Sequence, residues 1–334
     1  FGTLLIDGGV TSVTGANTAS GGTWTGGTLS GTGTTTLTGA LGFTGTANKL
    51  LAGGHTLVTQ GTTTWDDGDL YLQGVGTTFQ NEGTFVAAAG LNDRLTFSVA
   101  GASFDNQGVF RKQGTDDTTR VTVDFANQGL VDVQQGILDL DGTYTQSGGG
   151  SSTRLDGGDI TGLAVLDIQG GVVEGSGSIT AAVDLNALLS PGLSGAVGQI
   201  DIVGALTFDD SAEFDILLEG NTAGVGFDFV SVVGDVLLDG ILDVHVDPTF
   251  AATLAPGDGF TVLQGDRAVA GAFDNVASGG RLGSFDVFYG VDLGALGDFT
   301  DRVALVFVPE PGSAWLVGLG LVSLARRRRR RVQF

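Results

Sequence analysis

Short runs of alternating apolar and polar residues recur along most of this chain, separated by glycine-rich turns. Thr3-Leu4-Leu5-Ile6-Asp7 and Thr34-Thr35-Thr36-Leu37-Thr38 are early examples. Alternation with period two marks a strand with one buried face, and threonine, valine, leucine and phenylalanine are strand formers. Helix-forming stretches are scarce before the C-terminal tail. The pattern therefore predicts an all-β body of short strands and tight turns.

Two repeated units sharpen this. The first is Phe-x-Asn-(Glu/Gln)-Gly, at Phe79-Gln80-Asn81-Glu82-Gly83, Phe104-Asp105-Asn106-Gln107-Gly108 and Phe125-Ala126-Asn127-Gln128-Gly129. Each copy leads into strand formers, and the asparagines are 25 and then 21 residues apart. The second is apolar-x-Gly-x-Gly, beginning at Leu29, Leu72 and Val173. A period of 21–25 residues accommodates three short strands and three turns, one coil of a parallel β-helix. In such a stack equivalent side chains lie above one another, so the asparagines would form an amide ladder and the phenylalanines an aromatic stack. The glycine two positions after each asparagine would supply a turn with positive φ. Hairpin turns in an antiparallel sandwich would also carry Asn-x-Gly, but unequal periods near 22 suit stacked coils better.

From about residue 170 the wording changes. Gly175-Ser176-Gly177-Ser178-Ile179 leads to Leu189-Ser190-Pro191-Gly192, and longer strand phrases such as Gln199-Ile200-Asp201-Ile202-Val203 follow. Over roughly residues 20–280 this succession resembles the passenger stalks of autotransporters, and the resemblance implies a right-handed parallel β-helix. The body divides into glycine- and threonine-rich solenoid repeats, residues 1–175, and β-rich terminal coils or a capping domain, residues 176–308. A cap is expected because an open coil end is a template for aggregation.

The tail, residues 309–334, has three parts in fixed order: Pro309-Glu310-Pro311, an apolar run from Ser313 to Ala325, and six arginines, Arg326, Arg327, Arg328, Arg329, Arg330 and Arg331. The prolines end the preceding strand and hold Glu310 extended, as a processing enzyme needs. The apolar run is shorter than the ~20 residues of an ordinary spanning helix. Snorkelling arginine stems lengthen it, and the positive-inside rule places the arginines in the cytoplasm and the body outside. The tail resembles the PEP-CTERM sorting signal of exported bacterial proteins. That resemblance implies a short C-terminal transmembrane helix, an exosortase as processing partner, and Pro309, Glu310 and Pro311 as the processing motif. It also implies transient anchoring, followed by release to the cell surface or outside of a Gram-negative bacterium.

Charge separates body from tail. The chain holds 15 basic and 37 acidic residues, net −22, but residues 1–308 hold 9 and 36, net −27. Such a body repels nucleic acid and anionic lipid. Glycine, 59 residues against 5 prolines, fits a turn-rich β protein rather than collagen or a linker. With no cysteine, an exported fold must rest on packing and backbone pairing. There is no methionine and Phe1 stands inside an apolar pattern, so a precursor with an N-terminal signal peptide is expected.

Catalytic constellations are sparse, and no cofactor or metal site is expected. His55 and His245 stand in unrelated contexts, the first read as a turn residue and the second as an exposed strand position. Ser194 lacks the spacing of a nucleophile elbow. Asp66, Asp67 and Asp69 form one acidic turn; Asp116 and Asp117 form another near Arg111, Lys112 and Arg120. Both read first as solvated loops. The expected function is a non-enzymatic structural or adhesive protein of the cell surface or matrix, with exopolysaccharide as a partner and no nucleic acid. The alternative is a secreted carbohydrate-active β-helix enzyme, a polysaccharide lyase or hydrolase.

Overall fold

The computed structural model describes residues 2–88, 93–97, 100–114, 116–292 and 298–309. Among them the regular structure is strand apart from a single helical turn, Pro248–Ala251. One coil shows the plan. Thr62–Trp65 lies on a first face, Leu70–Gln73 on a second and Thr78–Asn81 on a third. The chain then returns at Thr84–Ala87, which pairs in parallel with Thr62–Trp65. Burial alternates along each strand, as period two requires.

The third face is a 12-stranded parallel sheet, one strand per coil, from Ala16–Ala19 to Val269–Gly271. The other two faces merge because Gly22–Ser30 and Val172–Thr180 each run around the corner between them. The molecule is a β-solenoid, and the pairing is parallel throughout the coils, which excludes the sandwich of hairpins. Val172–Thr180 also runs through residue 175, so the division expected there falls inside a strand and the stacking continues across it.

Register turns the sequence into columns. One inward column on the third face reads Leu37, Thr59, Asn81, Asn106, Asn127, Gln146, Ile168, Leu185. Its amides are fully buried and form the expected ladder. Asn81 Nδ2 donates to Asn106 Oδ1 at 2.8 Å, Asn106 Nδ2 to Asn127 Oδ1 at 2.8 Å, and Asn127 Nδ2 to Gln146 Oε1 at 3.2 Å. Each also donates to a backbone carbonyl further along: Val109, Leu130 and Ser152. The neighbouring column is aromatic. Phe79, Phe104 and Phe125 stack at centroid separations of 5.1 and 5.0 Å, and Tyr144 continues the column at 5.6 Å. Phe85 and Phe110 form a second stack at 5.3 Å, meeting the first edge-on. Each buried ring contributes about 2–3 kcal/mol by burial, and each ring pair adds about 1 kcal/mol.

The glycines of the repeat act differently from expectation. Gly83, Gly108 and Gly129 are absent from the positive-φ residues. They are glycine because the corner is too tight for a side chain: a Cβ on Gly108 would strike the carbonyl oxygen of Gly83, and one on Gly129 that of Gly108. Close stacking of backbone on backbone is the constraint, not turn handedness.

At the C-terminal end the solenoid changes hand of pairing. Gly259–Gly265 pairs in parallel with Phe229–Val233, but its outer edge is taken by the antiparallel strand Asp298–Phe307. Phe285–Asp292 pairs antiparallel with that strand, and Gly280–Leu282 with Phe285–Asp292. This sheet closes the edge of the second face, a β-rich cap of the kind an open coil needs. The apolar run and the arginines lie outside the described residues, and no described helix is long and apolar enough to cross a membrane.

Candidate functional site

Two places in the molecule combine geometry with chemistry: the junction between body and tail, and a cleft on the last coils.

At the junction the final strand is fastened to its end. Phe307 N–H donates to the Asp258 carbonyl at 2.7 Å, and Gly257 N–H to the Phe307 carbonyl at 2.9 Å. Val308 N–H donates to the Ser284 carbonyl at 2.8 Å, and Arg281 Nη1 to the Val308 carbonyl at 2.6 Å. The Phe285 and Phe307 rings meet edge-on at 5.7 Å. Pro309 follows at once, outside any strand. Glu310, Pro311 and Arg326 to Arg331 lie outside the described residues.

The cleft, about 550 Å³, opens where three long connections leave the corner between the first and second faces. It grows out of an outward column of the first face that begins as alternating charge: Arg111, Asp132, Arg154, Glu174. Arg111 pairs with Asp132 at 3.0 Å and Arg154 with Glu174 at 2.9 Å. The next coil offers Ser190 in place of a cation, and Asp215 and Asp243 follow. Ser190 Oγ donates to Asp215 Oδ2 at 3.2 Å. His245 Nε2 stands 3.3 Å from Asp215 and 3.4 Å from Asp243. The wall behind is held by Asp228, which is buried and accepts backbone N–H groups of Gly198 and Leu217, both at 2.8 Å. Burial pushes its carboxyl up to about 7, against the pull of those two donors. Asp228 thus ties together the connections that frame the cleft. An imidazole between two carboxylates can pass or hold a proton, and Ser194, at φ 56°, lines the same cleft.

The acidic turns have a structural task. The turn of Asp66, Asp67 and Asp69 surrounds the buried Lys49, whose ammonium donates to the carbonyl oxygens of Gly45 and Asp67. Burial lowers the Lys49 pKa, and Asp67, Asp93 and Asp69 oppose that shift. Asp117 and Asp116 do the same for the buried Lys112. His55 follows a turn but points inward. It is fully buried, with Nε2 3.0 Å from Thr35 Oγ1, and burial lowers its pKa. His245 is an exposed strand residue, as its alternation suggests. Among the described residues no group of three or more potential ligands is placed to hold a metal ion.

Sequence reasoning missed Glu174, Asp215 and Asp228. Coils of unequal length hide the register that aligns Glu174, Ser190 and Asp215. Nothing local marks Asp228 as buried.

Residues 307–330 match the PEP-CTERM protein-sorting motif. No curated protein matches the chain. The motif implies exosortase as the processing partner, sorting to the cell surface, export and transient membrane anchoring. The match begins at Phe307, the last residue of the capping strand, and covers Pro309, Glu310, Pro311 and the first five arginines.

Proposed function

We propose that the body is a rigid, non-enzymatic spacer or adhesive element that works at the surface of a Gram-negative bacterium once its tail has been processed. The observation that carries this reading is the uninterrupted inward column running from Leu37 through the amide ladder to Leu185. A chain that spends most of its length on one stacked core builds reach and stiffness. Twelve strands at about 4.8 Å give a rod of roughly 50 Å. Its acidic faces suit a hydrated matrix, and exopolysaccharide is the partner class that such a rod would organise.

One observation favours a second reading. Asp215 and His245 line the cleft with Asp243 beside them, and paired carboxylates on a β-helix can cleave glycosidic bonds. Incubation of the purified body with a panel of acidic and neutral polysaccharides separates the two. The spacer reading expects unchanged chain lengths. Shortening that disappears with Asp215→Ala would replace it with the enzyme.

A further inference from the structure

The molecule leaves almost no slack between its folded body and its membrane tail. Among the described residues Val308 is the last one hydrogen-bonded to the cap, through both its N–H and its carbonyl. The apolar run begins at Ser313. Even fully extended, the intervening chain spans at most about 17 Å, at about 3.5 Å per residue. The polar layer on one side of a bilayer takes up roughly 5–8 Å of that. In the anchored precursor the cap therefore stands within about 10 Å of the headgroups, whatever path the connecting residues take.

The surface beside the junction suits that position. Residues 248–257 hold no charged side chain, in a body of net −27. Ala251, Ala252, Ala255 and Pro256 are exposed there, and Gly257 is hydrogen-bonded to the last strand. The flanking carboxylates are turned back into the protein: Asp247 accepts N–H groups of Thr249 and Phe250, and Asp258 accepts that of Ala255. Arg281 lies at the same edge, where its charge is balanced by Asp286 at 3.5 Å while one Nη donates to the Val308 carbonyl. Elsewhere the acidic coils would be repelled by an anionic leaflet. Within that acidic end, the uncharged stretch 248–257 is the part that can approach an anionic leaflet at the least electrostatic cost.

We propose that the face formed by residues 248–257 and Arg281 is a membrane-contact surface, on which the anchored precursor rests against lipid headgroups while the solenoid projects outward. This rests on the anchoring that the sorting motif implies. Native cysteine is absent, so a single donor fluorophore can be placed through Ala255→Cys on the cap or Val75→Cys on a distant turn. Val75 is 82% exposed and eight strand spacings from the last coil, roughly 40 Å away. Both full-length chains are reconstituted into vesicles of phosphatidylethanolamine and phosphatidylglycerol carrying an acceptor lipid. Energy transfer should be severalfold higher from position 255. An insert of about twenty glycine and serine residues between Val308 and Pro309 should reduce that difference. Vesicle-bound protein with equal transfer from both positions would overturn the proposal. Protein that stays unbound would overturn the anchoring itself, and the contact surface with it.

Discussion

The two halves of the solenoid share a backbone plan but are stabilised differently. Residues 2–154 fill their core with aromatic stacks, an amide ladder and buried Lys49 and Lys112. Below Gln146 the same inward column turns apolar, as Ile168, Leu185 and Phe208. Charge divides along the same line: residues 155–308 carry 23 acidic and only 3 basic side chains. The upper coils specify their register through directional contacts that only one alignment satisfies. The lower coils have no amide ladder; they rely on apolar burial, including the Phe208, Phe214 and Phe273 rings, and on a terminal antiparallel strand, and they tolerate long connections that open a cleft. Ladder polarity thus goes with uniform coils, and wholly apolar filling of this column with variable ones.

The sharpest way to break the upper half is steric. Gly108→Ala places a methyl group against the Gly83 carbonyl and should cost more than about 4 kcal/mol, as strain at a special backbone position does. Chemical denaturation would show it; a cost within 1 kcal/mol would mean that the corners are looser than described.

The amide ladder comes next. Asn106→Ala strands buried groups on Asn81 and Asn127 and should cost about 3 kcal/mol. Leu185→Ala, in the same column below, should cost a similar amount by cavity formation. The two differ in additivity. Replacing Asn81, Asn106 and Asn127 together by leucine removes donors and acceptors at once and should cost far less than three single losses. Strict additivity would show that the ladder has no cooperative role.

The pH response should separate the halves again. The carboxyls of Asp228, at about 7, and Asp209 are raised by burial, so they bind protons more tightly folded than unfolded. The stability they contribute is complete below the ordinary value of 3.8 and is lost as pH rises through the raised values, about 7 for Asp228. The thermal midpoint should fall by a few degrees from about pH 4.5 to 7.5, and Asp228→Asn should flatten the slope. In the upper half the lowered Lys49 and Lys112 act with opposite sign. Their contribution is complete above 10.5 and is lost as pH falls through the lowered values. A midpoint that rises between pH 4.5 and 7.5 would contradict this assignment.

The smallest effect belongs to the outer charge column. Arg154→Met removes a half-exposed pair with Glu174 and should cost no more than about 1 kcal/mol, less in high salt.

Much of this architecture was legible because the repeat carries its own evidence. Phe79, Phe104 and Phe125 recur with Asn81, Asn106 and Asn127 at coil-sized intervals, and periodicity alone then predicts a stack and a ladder. The reason for Gly83, Gly108 and Gly129 was not legible. A glycine forced by positive φ and one forced by a carbonyl in the next coil look the same in one dimension. The cleft was hidden for a related reason. Glu174, Ser190 and Asp215 are separated by 16 and 25 residues, and only the folded register makes them neighbours. The tail stood out most clearly, since Pro309, Glu310, Pro311 and the arginines form a contiguous signal that does not depend on the fold.

The most direct test concerns that tail. Residues 1–334 and residues 1–308, each behind the same export signal peptide, should be expressed in a host with an exosortase, and cells and medium fractionated over time; the former is the full-length chain and the latter the truncated one. The full-length chain should appear first in the membrane fraction and then, shortened, at the surface or in the medium, while the truncated chain should never enter the membrane fraction. Identical fractionation of the two chains would contradict sorting through this tail.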